Sequence, residues 1–402
     1  MDIRPATRRD ATPLRVVLYS HDSVGLGHQR RNLAIAHALS RHLPELTGRP
    51  VTGLLLTGVE RVVGHLPPAF DVVRLPGISK GGLGYTPREV DVPMPDLIDV
   101  RRAILAGAIN AFTPDLVVVD RHAFGVDEEL LEPLRQLRAE LPGTQVVLGL
   151  REVLDEPEVA QAEWERVGTE RVRDLFDAIW VYGDESVTDL RRTGAVPEAL
   201  HDLVVHTGYL SLGRTTRSFL RDLVRPYLLT MVGGGHDGAD LCRAAAQATV
   251  PEGMGHFVVA GPQMSAEERS SLDALAGPRT EILDEVPEGL LAIRSAEAVA
   301  CMGGYNTVCE VLSTDRPALV VPREVPRLEQ LIRARSLART GAVDILRASE
   351  LTPESLGAWF AANATGSVDR RHLRRDGLAE VGRQAAALLT PSTCEETVRA
   401  AV

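Results

Sequence analysis

The sequence lacks the marks of a metal-stapled, membrane-spanning or nucleic-acid-binding chain. Its 402 residues hold four cysteines, Cys242, Cys301, Cys309 and Cys394, with no C-x-x-C spacing. Zinc ligands and disulfide frameworks need such spacings, so reduced, mostly buried thiols of a cytosolic protein are expected. No apolar run approaches the ~18 residues that cross a bilayer. The opening segment MDIRPATRRDATP is polar and has no apolar core, so no secretory signal is expected. Basic residues are outnumbered: 44 Lys and Arg against 55 Asp and Glu give a formal charge of −11. Phosphate backbones are held by clustered Lys and Arg, so this balance argues against a nucleic-acid partner. The densest basic run, RRHLRR at Arg370–Arg375, reads as a solvated helix face.

What is present is ordinary for a soluble globular chain, with 44% hydrophobic and 25% charged residues. The length is too great for one core, so two domains of ~200 residues are expected. LRVVLYS, VTGLLLTG, DVVRLPG, PDLVVVDRH, TQVVLGLRE and AIWVYGD are compact apolar runs bounded by turn residues. Runs without polar alternation suit strands buried on both faces of a parallel sheet. Between them, Gly27–Leu43 and the stripe Leu97–Phe112 carry apolar residues at helical spacing. The stripe follows a Gly-rich loop, GISKGGLGYTP, and is flanked by Arg101 and Arg102. It reads as a core-facing helix, with docking at a lipid surface as the alternative.

HTGYLSLGRTTRS, rich in Gly, Ser and Thr, breaks the pattern, which then restarts with YLLTMVGGG, HFVVAGP, RTEILD, EAVACMGG, PALVVP and AVDIL. The expectation is an α/β chain of two Rossmann-like, doubly wound domains facing across a cleft. The boundaries are 14–208 for the first domain, 209–220 for the linker and 221–380 for the second. A C-terminal helix at 381–402 returns to the first domain.

Ligands in such sheets bind beyond the carboxyl ends of the strands, where three Gly-rich loops fall. The first, YSHDSVGLGHQRR, reads G-x-G-x-x-R from Gly25 and Gly27, and no acidic residue closes the next strand. A dinucleotide site is therefore disfavoured. His28 sits in the first helical turn, either as a general base facing the cleft or as a cap of the turn. In the second, Gly233, Gly234, Gly235 and His236 link a strand to a helix, where backbone N–H groups can receive a diphosphate; no Walker lysine is present. The third, CMGGYNTVCEVL, contains Thr307-x-x-Glu310, which taken alone reads as a capping box. Asp120 and His122 end LVVVDRH, either facing the cleft to support an acceptor or stabilising a turn.

Together these residues resemble the C-terminal half of glycosyltransferase family 28, which includes the N-acetylglucosaminyltransferase that completes peptidoglycan lipid II. The shared pattern runs Gly303, Gly304, Thr307, Glu310, Pro317, Pro322, Glu329, Gln330, Ala334, Leu337, Gly341 and Ala342. GLGH, LREVLDEPE, WVYGDESV and HTGYL further resemble a predicted-glycosyltransferase branch of the same GT-B superfamily. There are two departures: Arg333 stands where the family has Asn, and Gly235 and His236 stand where it has its Ser/Gln.

The resemblance implies a hexosyltransferase that moves a sugar from a nucleotide diphosphate, UDP-linked, to a hydroxyl. Glu310 would hold the ribose, Glu329 and Gln330 the sugar, and the turn at Gly233–Gly235 the diphosphate. Val286 would lie beside the base, with Gly303, Gly304, Asn306 and Thr307 completing the donor site. His28 would activate the acceptor, with Gly25, Gly27, Asp120 and His122 around it. The acceptor is a lipid, a polysaccharide or a small natural product. No cofactor or metal is implied, since the sequence has no Asp-x-Asp, and inversion by single displacement is expected. A cytoplasmic location follows, with peripheral contact at the inner face of the membrane as an option. Two other readings keep the fold: a UDP-sugar epimerase or hydrolase, and a non-catalytic nucleotide-sugar-binding subunit.

Overall fold

The computed structural model describes residues 12–21, 27–59, 64–81, 84–216, 226–234, 237–286 and 288–390. The N-terminal part begins with β1 (Leu14–Ser20), α1 (Gly27–Thr47), β2 (Val51–Thr57) and β3 (Phe70–Arg74). A two-stranded antiparallel hairpin, β4 (Ile78–Gly81) and β5 (Gly84–Pro87), leads to α2 (Met94–Phe112) and β6 (Leu116–Asp120). Then come α3 (Leu131–Glu140), β7 (Gln145–Arg151), α4 (Pro157–Val167), α5 (Thr169–Leu175), β8 (Ala178–Tyr182) and β9 (Val204–His206).

The C-terminal part holds β10 (Tyr227–Met231), α6 (Ala239–Gln247), β11 (Gly255–Val259), α7 (Ala266–Leu275), β12 (Thr280–Leu283) and α8 (Gly289–Ser295). It continues through β13 (Ala298–Cys301), α9 (Tyr305–Leu312), β14 (Ala318–Val320), α10 (Glu329–Arg339) and β15 (Asp344–Ile345). Helices α11 (Pro353–Asn363) and α12 (Gly377–Leu389) close it.

The seven-stranded sheet has the order β3-β2-β1-β6-β7-β8-β9 and the six-stranded sheet the order β12-β11-β10-β13-β14-β15; every pairing in both is parallel. These are two doubly wound sheets. In each the order reverses beside the first strand, between β1 and β6 and between β10 and β13. The crevice beyond the strand ends at such a reversal is where these folds bind ligands.

The period of two explains why the strands read as unbroken apolar runs. Val16, Leu18, Leu116 and Val118 share a core with Leu33, Ile35, Ala36 and Leu39 of α1. Their neighbours Val17, Tyr19, Val117 and Val119 pack with Leu105 and Ile109 of α2 and Leu134 and Leu137 of α3. The stripe of α2 thus faces inward: Leu97, Ile98, Leu105 and Ile109 are all buried. Among the described residues no helix is long and apolar enough to cross a membrane.

The final helix α12 packs on α1. Leu378, Val381 and Ala385 join the α1 core, and a side chain at Gly382 would run into His42, 2.6 Å from its Cβ. Two expectations are corrected here. The segment GISKGGLGYTP is the β4–β5 hairpin instead of an open loop. Arg370–Arg375 lies outside any helix, and Arg370 is buried. Its guanidinium donates to the carbonyls of Thr314, Arg316 and Ala342. Thr314 and Ala342 lie in the loops that follow α9 and α10, so Arg370 ties both loops together.

Candidate functional site

The reversal of the first sheet brings three segments together: His21 after β1, the first turn of α1, and the end of β6. Asp120, the last residue of β6, is almost wholly buried and receives three donors. His28 Nδ1 lies 2.5 Å from Oδ2, Arg31 Nε 2.7 Å from Oδ1 and Arg31 Nη2 2.6 Å from Oδ2. Burial alone would raise the Asp120 pKa, but Arg31 and His28 outweigh it and hold the group well below the usual carboxylate range. An ionised carboxylate at that distance accepts a hydrogen bond from Nδ1–H, which leaves the lone pair on Nε2 of His28; Arg31 Nη2, 3.1 Å from the same Nδ1, donates to Asp120 Oδ2 instead. Nε2 has no hydrogen bond to a described residue, and the side chain is one-fifth exposed. His28 is thus held at Nδ1 by Asp120, and within its own helix turn Arg31 Nη2 lies 3.1 Å from the same nitrogen.

Two further imidazoles surround it. The His21 ring centroid is 4.7 Å from that of His28 and 4.6 Å from that of His122. Burial, then the neighbouring His28 and His122, push the His21 pKa well below its ordinary value. His122 Nδ1 lies 3.1 Å from Glu163 Oε1, and Arg121 holds the other oxygen at 2.7 Å. Burial pushes the His122 pKa down to about 4 despite that carboxylate. His21 and His122 therefore stay neutral near pH 7.

The reversal of the second sheet faces this cluster. Gly233 and Gly234 turn after β10, Gly233 with a φ of 72° that favours glycine, while Gln263 stands 2.7 Å from where a Gly234 side chain would begin. Gly303 follows β13, donates its N–H to Gln330 Oε1 at 3.1 Å, and has no room for a side chain against Gln330. Gly304 is the N-cap of α9 and supplies no side-chain cap. Thr307 and Glu310 both lie inside α9, so they form no capping box; the helix starts two residues before Thr307. That frees Glu310 for another role. Its buried Oε1 meets Arg30 Nη2 at 2.5 Å and Arg214 Nη1 at 3.8 Å, and Oε2 has no hydrogen-bond partner among the described residues.

Charged contacts tie the two halves around the cleft. Arg151 at the end of β7 donates to Glu329 at 2.6 Å, and Arg323 approaches the same carboxylate at 3.4 Å. Burial would raise the Glu329 pKa, but Arg151 and Arg333 bring it down to about 2. Arg333, fully buried, donates to Glu152 at 2.6 Å and to the Gly303 carbonyl at 2.8 Å. The Tyr305 ring centroid lies 5.6 Å from the guanidinium of Arg31 and 5.6 Å from that of Arg333, and its hydroxyl donates to the Tyr182 carbonyl at 2.8 Å. Asn306 donates to the Gly27 carbonyl at 2.8 Å.

The residues singled out by sequence therefore form two facing groups. His28, Asp120, His122 and Gly27 lie on one side. Gly233, Gly234, Gly303, Gly304, Asn306, Thr307, Glu310, Glu329 and Gln330 lie on the other. Val286 sits just before α8, packed against the shared core. Gly25, Gly235 and His236 lie outside the described residues. Sequence reading missed His21, Arg30, Arg31, Arg151, Glu152, Glu163 and Arg214. For Arg31 a signal existed: it stands three residues after His28, on the same helical face.

With this geometry in place, comparison with known proteins becomes informative. Residues 229–361 match the glycosyltransferase family 28 C-terminal domain. Over 80 residues the chain is 35% identical to the UDP-N-acetylglucosamine--N-acetylmuramyl-(pentapeptide) pyrophosphoryl-undecaprenol N-acetylglucosamine transferase of Glaesserella parasuis. That alignment covers 20% of this chain and 22% of the relative, so the chain spans about a fifth of that relative's length. The crystal structure of Acinetobacter baumannii MurG superposes with a TM-score of 0.51 at 16% identity, covering 96% of this chain and 98% of that one. Glycosyltransferase VinC in complex with DTDP superposes with a TM-score of 0.55 at 16% identity, covering 96% and 99%. At such identity these likenesses establish the fold, two Rossmann-like domains across a cleft.

Proposed function

We propose that this chain, which carries a glycosyltransferase family 28 C-terminal domain, is a glycosyltransferase moving a sugar from a nucleoside diphosphate to a hydroxyl. The observation that carries the reading is the His28–Asp120 pair, a base fixed by a buried carboxylate. It faces a family 28 domain whose Glu310 keeps one buried oxygen unpartnered.

In this reading the donor ribose lies on Glu310, and the diphosphate lies against the N–H groups of the Gly233–Gly234 turn and the N-terminus of α9. His28 Nε2 takes the proton of the acceptor hydroxyl as its oxygen attacks the anomeric carbon. The bond from that carbon to the diphosphate breaks, and its electron pair leaves with the diphosphate. Main-chain donors stabilise the charge that develops there. One displacement inverts the anomeric centre. With main-chain amides and a helix N-terminus assigned to the leaving group, the reading is metal-independent, and activity is expected to persist in EDTA.

The donor is read as UDP-linked. The Glaesserella relative is named for a UDP-sugar and VinC is described with DTDP, so the donor panel includes both nucleotides. The reading puts the enzyme in the cytoplasm, in keeping with three buried, unpaired cysteines among the described residues. The test is release of nucleoside diphosphate from a panel of nucleotide sugars and hydroxyl acceptors. Release should need an acceptor and should collapse in His28→Ala. Turnover without acceptor, yielding free or epimerised sugar, would replace this reading by a hydrolase or epimerase.

A further inference from the structure

Arg30 stands in the first turn of α1, on the N-terminal side of the cleft, yet its guanidinium rests on the carboxylate to which the proposed reading assigns the donor ribose. Nη2 is 2.5 Å from Glu310 Oε1. No other side chain or carbonyl among the described residues holds Arg30, and its side chain is one-third exposed. Arg214, the second cation at Glu310, is different. Its Nε donates to the Leu210 carbonyl at 2.6 Å and its Nη2 to Asn306 Oδ1 at 3.3 Å, and the side chain is 8% exposed. Of the two, Arg30 is free to move and Arg214 is not. If Arg30 swings away, Arg214 stays beside Glu310, so the buried carboxylate keeps a counterion.

The route from Glu310 to the Gly233–Gly234 turn is short. Gly289 opens α8 opposite Glu310, and a Cβ there would lie 3.3 Å from Glu310 Oε2, 3.4 Å from Met231 Cε and 3.9 Å from Arg30 Nη2. The Gly289 backbone therefore borders Glu310 Oε2, Arg30 and the last residue of β10 at once, and only a glycine keeps them this close. The Gly233–Gly234 turn begins two residues after Met231. The surroundings favour an anion: the N-termini of α1 and α9 meet at the Asn306–Gly27 hydrogen bond, and neither helix has an acidic residue in its first turn.

We propose that Arg30 occupies the ribose position of Glu310 in the empty site and, when the donor binds, turns onto the diphosphate and neutralises it from the N-terminal side. The inference rests on the nucleotide-sugar reading and deepens it. Nucleotide binding becomes an exchange: the ribose hydroxyls displace the guanidinium from Glu310, and the diphosphate receives it. Arg30 then opposes binding of a nucleoside, which offers no charge in return, and favours binding of the diphosphate. It also links donor occupancy to contact between the two domains.

The test separates those two effects. Calorimetry identifies which of UDP, dTDP and GDP binds the full chain most tightly, and ligand-observed NMR follows the matching nucleoside. In Arg30→Ala the diphosphate should weaken about tenfold, the scale of losing one charged hydrogen bond, while the nucleoside should tighten or become detectable for the first time. Arg30→Gln should repeat the pattern, and Arg30→Lys should recover part of the diphosphate affinity. Equal shifts for both ligands, or a nucleoside that gains nothing, would overturn the exchange while leaving the nucleotide-sugar reading intact. If none of the three diphosphates binds the wild-type chain, that reading falls and the exchange falls with it.

Discussion

Replacing Asp120 by asparagine puts the proposed base to its hardest test, because the substitution keeps the shape of the side chain and removes only its charge. Asp120 accepts two bonds from Arg31 and one from His28 Nδ1. In the variant, Arg31 remains buried without its counterion. Breaking a buried ion pair costs ~3–5 kcal/mol, and the retained amide oxygen argues for the lower figure. In a domain of this size about 3 kcal/mol lowers the melting temperature by ~6–12 °C. The catalytic effect is separate. An amide N–H directed at Nδ1 favours the tautomer with the proton on Nε2, which then cannot accept one from the acceptor. A general base supplies ~10²–10⁴ in rate, so kcat should fall by about 10³, measured well below the variant's melting temperature. The donor KM should stay within about threefold, because Glu310, Glu329 and the Gly233 turn are untouched. Steady-state release of nucleoside diphosphate gives both constants, and urea unfolding gives the stability. A variant that unfolds more readily yet turns over within threefold of wild type, while His28→Ala is inactive, would refute the dyad. The acid limb of stability checks the same group. The folded-state pKa is depressed, so the stabilisation is present above the ordinary value of 3.8 and is lost as pH falls below it. Asp120→Asn should lack that component.

Three further outcomes follow from the same contacts. Glu310→Ala should raise the donor KM by ~10–100-fold, the scale of hydrogen bonds to a charged group, with a smaller change in kcat; initial rates against donor concentration report it. Arg333→Met should destabilise the chain by ~3–5 kcal/mol in urea, because Glu152 is left buried and alone, and Glu152→Gln added to it should restore much of the loss. His256, buried beside Phe360 with Nε2 2.9 Å from Thr230 Oγ1, has its pKa pushed down by burial to about 4. The unfolded chain binds that proton more readily, so stability is full above the ordinary value of 6.5 and falls as pH drops toward 4. His256 alone should make unfolding at pH 5.0 cost about 2 kcal/mol less than at pH 7.5, a component that His256→Leu removes while those of His21 and His122 remain.

How far the sequence discloses this molecule depends on the range of the interaction concerned. Strands buried on both faces advertise themselves as unbroken apolar runs, so LRVVLYS and YLLTMVGGG lead directly to β1 and β10 and to the loops that follow them. Residues at the reversal points are legible for the same reason, since the loop after the first strand of each sheet must border the crevice. The hairpin β4–β5 is harder, because its glycines and lysine resemble an open loop and only the pairing of Ile78 with Pro87 makes strands of them. Arg370–Arg375 misleads because charge suggests solvent; what captures Arg370 is a set of loop carbonyls at Thr314, Arg316 and Ala342, a demand that no local pattern announces. The contacts across the cleft are the least legible of all. Arg30 with Glu310, Arg151 with Glu329 and Glu152 with Arg333 join residues far apart in the chain, and each looks like a surface charge when read alone. Their common feature appears only in three dimensions: in all three an ionic group of the first sheet's crevice is neutralised by one from the second. A buried charge that loses its partner is costly, so these pairs hold the halves together whenever the crevice is empty. A ligand that takes over Glu310 or Glu329 must therefore supply its own compensating groups. A nucleotide sugar can, with hydroxyls for the carboxylates and a diphosphate for the arginines, which is why the ion pairs and the proposed substrate argue for one another.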